Sequence, residues 1–269
     1  MKIIHFSDPH AGGNAEDMMA YLDKRWIGIF NYRFRRRFVF NIERLKYFVA
    51  YILDMKPDVA VCTGDLTSTG QPGEFAKVAA ILKPLRDSKI PVLYVPGNHD
   101  CYVKRKKCVA AMREMVFWLT NGRYQFDDLP TSIDLGECEF LMINTSYPSN
   151  LICSWGFVKS ETNKFLLEKS SEEKSKPRIL VSHYPIIEDR PISRVRHRLF
   201  GQKEIVKMLA AGEIDLSLCG HIHFPYEKID ESGRGENCSG SITRNGTFTE
   251  IDYDQTNDRF NFKEVDIDY

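Results

Sequence analysis

The chain has 269 residues, and its 37 Lys plus Arg balance 37 Asp plus Glu, so the formal net charge is zero. No global field draws such a protein onto nucleic acid or an anionic membrane, so any attraction of that kind is local. Hydrophobic residues at 43% and aromatic residues at 12% are enough for a sizeable core and exclude intrinsic disorder. The seven cysteines (62, 101, 108, 138, 153, 219 and 238) are scattered and form no C-x-x-C pair. They read as buried, reduced thiols of a cytoplasmic protein rather than as a disulfide framework or a zinc ribbon.

The chain opens on an apolar run, Lys2 to Ser7, broken by His5 and Asp8, which reads as a strand and not as a signal sequence. The segment Lys24 to Lys46 follows, with eight cations against Glu43 alone and with Trp26, Phe30, Phe34, Phe38 and Phe40 interleaved. Ile42, Leu45, Val49, Ile52 and Leu53 recur at helical spacing until Pro57. The longest apolar-leaning stretch, Phe38 to Met55, is interrupted by Asn41, Glu43, Arg44, Lys46 and Asp54, too often to span a bilayer. Asp58 to Thr63 reads as a second strand, Phe75 to Leu85 as a helix, and Pro91 to Val95 as a third strand. Glu139 to Asn144, Arg178 to Ser182 and Asp215 to Cys219 read as further strands, with helical periods at Phe165 to Leu167 and Ile205 to Leu209. Gly240 to Ile251 and Arg259 to Ile267 alternate polar and apolar residues about a Gln-Thr-Asn-Asp turn, as antiparallel strands do. The pattern predicts one α/β domain over residues 1–269, a sandwich of two sheets flanked by helices, with no internal repeat.

Chemistry in α/β proteins collects at the carboxyl ends of strands. Five apolar runs here end in Asp8-Pro9-His10, Gly64-Asp65, Gly97-Asn98-His99-Asp100, His183 and Gly220-His221-Ile222-His223. The members of each D-x-H or H-x-H pair are two apart, so an extended backbone sends both to one face. Glycine before Asp65, Asn98 and His221 permits a tight turn. Oxygen and nitrogen donors without sulfur suit Mn, Fe, Zn or Co better than Ca or Mg, and seven donors suit two ions with one bridging carboxylate. His5 reads as a core group, and His197 is open between a solvated loop and a substrate contact. Gly64 and Gly97 form no P-loop, because no G-K-[ST] follows.

The ordered set D-x-H, G-D, G-N-H-D, H and G-H-x-H, spanning residues 8 to 223, resembles the calcineurin-like metallophosphoesterase superfamily. The resemblance implies a four-layer α-β-β-α sandwich of two mixed sheets flanked by helices. It implies two divalent transition metal ions, manganese foremost, with Asp8, His10 and His223 on one, Asn98, His183 and His221 on the other, and Asp65 bridging. It places His99 against the phosphoryl group or leaving oxygen and Asp100 as the carboxylate that orients His99. The reaction implied is in-line attack on phosphorus by hydroxide held between the ions, with no protein nucleophile.

The segment at 24–46, with its K-R-x-x-G-x-x-N pattern and arginine run, is similar to an insert in a bacterial branch that includes the UDP-2,3-diacylglucosamine pyrophosphatases of lipid A synthesis. That similarity implies a lipid-linked pyrophosphate substrate and peripheral contact with the cytoplasmic face of a membrane. Arg35, Arg36, Arg37, Lys104, Arg105, Arg194, Arg196 and His197 are the candidate substrate contacts, because paired guanidinium groups suit phosphate oxygens. The alternatives are a soluble phosphatase or nucleotide phosphodiesterase, for which 24–46 is only a flank packing its aromatics inward, and a non-catalytic metal-binding scaffold. No nucleic-acid partner is expected.

Overall fold

The computed structural model describes residues 1–148, 153–187 and 196–267. In chain order its elements are β1 (Lys2–Phe6), α1 (Arg25–Phe34), α2 (Glu43–Met55), β2 (Val59–Cys62), α3 (Pro72–Arg86), β3 (Val92–Tyr94), α4 (Lys106–Leu119), β4 (Thr131–Asp134) and β5 (Glu139–Met142). The second half contains β6 (Gly156–Phe157), α5 (Ser160–Ser171), β7 (Arg178–Val181), β8 (Leu199–Phe200), α6 (Lys203–Ala211), β9 (Leu216–Cys219), β10 (Tyr226–Ile229), β11 (Gly235–Cys238), β12 (Thr247–Asp254) and β13 (Arg259–Asp266).

Two mixed sheets form the centre, ordered β13-β12-β1-β2-β3 and β10-β11-β9-β7-β5-β4, with β6 and β8 as a separate short pair. The strands that carry the candidate motifs are parallel to their neighbours: β1 to β2, β2 to β3, and β7 to β9. Their carboxyl ends therefore share one edge of each sheet. Side-chain alternation separates the layers. Phe140 and Met142 of β5 and Ile179 and Val181 of β7 join one large core with Ile4 and Phe6 of β1. Leu141, Ile143 and Leu180 point the other way, against Leu166 of α5 and Ile205 and Met208 of α6. Helices α2, α3 and α4 cover the first sheet through Leu45, Phe48, Val78, Leu82, Met112 and Val116. This is the expected α-β-β-α sandwich. No helix among the described residues is long and apolar enough to cross a membrane. All seven cysteines are free, and six of them are buried.

Local chemistry accounts for the helix ends. Lys56 closes α2 in the left-handed region at φ 52°, and Gln71 opens α3 in a reciprocal capping box with Glu74. Helix α4 goes beyond the elements read from the sequence, and Cys108, Met112, Met115 and Leu119 form its buried stripe at helical spacing. The strand expected from Gly240 starts only at Thr247, because Gly240 and Gly246 turn the chain at positive φ. Residues 241–243 wrap the first motif loop instead: Ser241 Oγ donates to the Asp8 carbonyl and Thr243 Oγ1 to the Pro9 carbonyl.

Phe48 of α2 is fully buried between Phe6 and Phe248, with ring centroids 4.5 and 5.0 Å away. Phe48→Ala leaves a cavity between helix and sheet, and urea denaturation is expected to register a loss of about 3–5 kcal/mol.

Candidate metal centre

Each motif sits just past the end of its strand. The chain does not reach it by extended backbone: Asp8, His10, Asp65, His221 and His223 all adopt positive φ, between 47° and 70°. The D-x-H and H-x-H pairs thus converge by two left-handed turns rather than by strand alternation. Such conformations cost about 1–3 kcal/mol each and persist where surrounding contacts fix them. Here the Asp8 N–H donates to the Gly64 carbonyl at 3.0 Å and the His10 N–H to the Asp65 carbonyl at 2.9 Å. The glycines serve two purposes. Gly64 supplies a φ of +106°, as expected of a turn. Gly97 and Gly220 supply space: a Cβ on Gly97 would lie 2.1 Å from Asp65 Oδ1, and one on Gly220 would lie 2.0 Å from Ser7 Oγ.

Two groups of side chains meet, Asp8, His10, Asp65 and His223, and Asp65, His183 and His221. His223 Nε2 lies 3.2 Å and His10 Nε2 3.4 Å from Asp8 Oδ1, while His10 Nε2 and His183 Nε2 are both 3.5 Å from Asp65 Oδ2. Asp65 is the shared member. Asn98 Oδ1 sits 3.0 Å from His183 Nε2 and completes the second group.

The donor set fits a pair of cations on three counts. Asp8 and Asp65 each commit one oxygen to a backbone N–H, from His221 at 3.0 Å and from His99 at 2.7 Å. Their other oxygens, Asp8 Oδ1 and Asp65 Oδ2, are buried without a hydrogen-bond partner and point into the two groups. The tautomers also agree. His10 Nδ1 and His183 Nδ1 face the carbonyls of Thr67 and Thr63 and must donate, which leaves both Nε2 lone pairs aimed inward. Finally, the carboxylates require positive charge. Burial works against ionisation, yet the surrounding imidazoles hold Asp8 and Asp65 below the usual carboxylate range. Burial likewise opposes protonation of His183, but Asp65 and Asp8 raise it to about 9. Protons accumulate where cations would bind.

His99 stands beside the shared carboxylate, its Nδ1–H donating to the Ser68 carbonyl at 2.6 Å and its ring stacked on Tyr102 at 5.2 Å. Its Nε2 lies 3.3 Å from Arg36 Nη2. Burial and the Arg36 charge hold this imidazole well below its ordinary value, so it is neutral. Asp100 does not orient His99, contrary to expectation. Its carboxylate accepts the Gly97, Leu66 and Thr67 N–H groups and the Tyr94 and Thr67 hydroxyls, clamping the Asp65 loop to the Asn98 loop.

A cleft of about 250 Å³ lies over both groups, lined by Arg36, His99, Asn98, Arg196, His197 and Lys24 among others. Of the arginine run, only Arg36 reaches it. Arg35 lines a neighbouring depression with Arg244, and Arg37 lines another with Phe38 and Lys77. His197 is placed by its Nδ1, 3.0 Å from His221 Nε2. Lys104 is exposed and outside the cleft lining, and Arg105 pairs with Asp23 at 3.0 Å instead of facing the site. Arg194 lies outside the described residues.

The K-R-x-x-G-x-x-N pattern explains residues that composition alone did not single out. Lys24 Nζ sits 4.3 Å above the Tyr102 ring, and burial lowers it to about 8. Arg25 is fully buried in a bidentate pair with Asp23. A Cβ on Gly28 would lie 2.4 Å from Thr69, and Asn31 lines the cleft. Phe40 closes the side, its ring 5.1 Å from that of His10 and 5.6 Å from that of His223.

A model of the calcineurin-like phosphoesterase family matches residues 1–225. The chain belongs to that family. The matched span contains every member of both groups. It is 27% identical over 177 residues to the glycerophosphodiester phosphodiesterase GpdQ of Enterobacter lignolyticus (strain SCF1), a match covering 62% of this chain and 56% of that protein. It is 23% identical over 172 residues to a 3',5'-cyclic-nucleotide phosphodiesterase of Nostoc sp. (strain PCC 7120), covering 64% of this chain and 58% of that one. The chain therefore spans little more than half the length of these relatives. Among solved structures, a dimetal phosphatase from Danio rerio superposes with a TM-score of 0.67 at 14% identity, covering 99% and 97% of the two chains. Purple acid phosphatase PPD1 from yellow lupin superposes at 0.60 and 14% identity, covering 93% of this chain and 49% of that one. These two establish likeness of fold.

Removing the shared carboxylate should disable both groups together. Asp65→Ala is expected to bring bound divalent metal, measured by elemental analysis after metal loading and dialysis, close to none and to abolish turnover. His99→Ala is expected to keep its metal and slow turnover by roughly 100-fold, the scale of a lost proton-transfer or phosphoryl contact.

Proposed function

We propose that this calcineurin-like phosphoesterase hydrolyses small phosphodiesters, with glycerophosphodiesters and cyclic nucleotides as the substrate classes to test first. The observation that carries the reading is the pair of donor groups sharing Asp65 beneath a cleft whose roof holds Arg36 and His99. Two curated relatives that bear phosphodiesterase names, at 27% and 23% identity, support the diester class. A lipid-linked pyrophosphate, suggested by the resemblance of the 24–46 segment, has no counterpart among them.

Asp8, His10 and His223 would hold one divalent cation and Asn98, His183 and His221 the other, with Asp65 between them. Bound there, the cations would lower the pKa of water and neutralise phosphoryl charge. The protein's own groups do the rest. Thr67 and Thr63 carbonyls fix the His10 and His183 rings so that their lone pairs face inward. Arg36 presents a planar, permanently charged fork to non-bridging phosphoryl oxygens. His99, held by the Ser68 carbonyl and Tyr102, keeps one ring nitrogen directed into the cleft beside Arg36. The Phe40 and Tyr102 rings pack against the His10 and His99 rings on two sides of this edge.

The test is a manganese-supplemented comparison of bis(p-nitrophenyl) phosphate, glycerophosphocholine, cyclic AMP, p-nitrophenyl phosphate and a pyrophosphate-linked nucleotide lipid. A diester is expected to give the highest kcat/KM; a pyrophosphate lipid preferred over every diester would overturn the reading. Arg36→Ala is expected to cut kcat/KM on the best diester by roughly 10- to 100-fold with metal content unchanged, the scale of a lost charge-assisted contact. Arg37→Ala, outside the cleft, should leave kcat/KM within about twofold.

A further inference from the structure

Helix α1 is inside out. Its buried face carries Arg25, Gly28 and Ile29, with the Arg25 guanidinium sealed beneath the helix against Asp23 and Asp17. Its outward face carries Trp26, Phe30 and Phe34 at four-residue intervals, 50%, 58% and 62% exposed. The stripe continues through Phe38, 71% exposed, beyond one end of the helix and Leu22, 75% exposed, before the other. The Phe30 and Phe34 rings pack against each other, tilted by 42° with centroids 4.5 Å apart, so the exposed rings form a patch rather than scattered points. A water-soluble helix ordinarily places these side chains the other way round.

The charges beside this patch have one sign. Arg33, Arg35 and Arg37 are exposed along its end, Arg37 lying 4.5 Å from the Phe38 ring centroid, and no acidic residue occurs from Lys24 to Ile42. The neighbouring acids before the helix are already engaged: Asp23 with Arg25 and Arg105, Asp17 with Arg25 and Lys107. A second copy of the chain on this face would bring arginine against arginine. An anionic bilayer surface satisfies both features at once, because aromatic rings lodge at the headgroup level while guanidinium groups pair with lipid phosphates.

We propose that the outer face of α1 and the turn after it dock the enzyme on anionic lipid surfaces. The docking face and the cleft are two sides of one element: Ile27 and Asn31 of α1 line the cleft, and Arg36 enters it two residues before Phe38. Docking therefore holds the catalytic mouth at the interface, whichever phosphoester is cleaved there. The proposal stands apart from the substrate class, since it is read from binding and not from turnover.

The experiment is co-sedimentation of the full chain with phosphatidylcholine vesicles, with and without phosphatidylglycerol, at low salt and at about 0.5 M salt, where exposed charges are screened. Binding is expected to the phosphatidylglycerol vesicles, to weaken in salt, and to blue-shift tryptophan emission in a way the W26F variant loses. The triple variant W26S/F30S/F34S should hydrolyse a soluble diester as the parent does, which certifies its fold, while losing vesicle partition by roughly tenfold or more. A second variant, R33E/R35E, should lose the preference for phosphatidylglycerol and keep whatever weak binding neutral vesicles allow. Absence of binding to anionic vesicles, equal binding by the triple variant, or a parent dimer that the triple variant dissolves into monomers in sedimentation velocity would each overturn the proposal.

Discussion

Two buried carboxylates, Asp8 and Asp65, determine how the strand ends are joined. Each gives one oxygen to a backbone N–H of another motif: Asp8 reaches across to His221 of the second sheet, and Asp65 reaches to His99 beside it in the first. His183 returns the link, its Nδ1–H donating from the second sheet to the Thr63 carbonyl of the first. The sandwich is thus stapled at one edge by polar bonds, while its body is held by apolar packing. The second oxygen of each carboxylate is left buried and unpartnered, a costly arrangement unless a cation is bound. Five left-handed residues around it add to that cost. A core as extensive as that beneath β1, β2 and α2 is what lets the edge remain strained and charged.

The ordering of the chemistry was legible in the residues because strand termini are local features. An apolar run that stops at Asp, Asn or His needs no tertiary knowledge to be noticed, and those ends do meet here. What depended on distant contacts was not legible. Asp100 reads as a partner for His99 from adjacency, yet its oxygens turn to three backbone N–H groups and two hydroxyls. Gly97 and Gly220 read as tight-turn residues, yet what they supply is space, because a side chain at either would strike Asp65 or Ser7. Helix α4 is masked by the basic run Lys104 to Lys107, whose first two members read as substrate contacts but which forms the entry and first turn of a helix. Strands β10 and β11 have too little apolar alternation to stand out; β11 is placed by pairing with β9, and β10 by pairing with β11.

The basic segment is the clearest case of a pattern whose chemistry depends on geometry. Counted along the chain, its cations suggest one role. Placed in space, they divide into three. Arg25 is structural: it is wholly buried, and its carboxylate partners are themselves held by Arg105 and Lys107 at the start of α4. This latch fixes α1 to α4, and with it the height of Lys24 above Tyr102. Arg36 belongs to the cleft. Arg33, Arg35 and Arg37 face solvent.

The helix itself performs that sorting. Successive residues turn by about 100°, so Arg25 and Ile29 share a buried face while Trp26 and Phe30 share one turned about 100° from it, toward solvent. Burying an arginine is tolerable because two carboxylates meet it, and removing both would strand a charge in the interior. Inverting the helix, so that aromatics pack inward and Arg25 is solvated, would break the latch and lift Gly28 from the close approach it makes to Thr69. The exposed aromatic face is therefore a consequence of how the catalytic edge is built. Any sequence that keeps Arg25 and Gly28 beneath α1 must present positions 26, 30 and 34 outward, and this chain fills all three with large aromatic side chains.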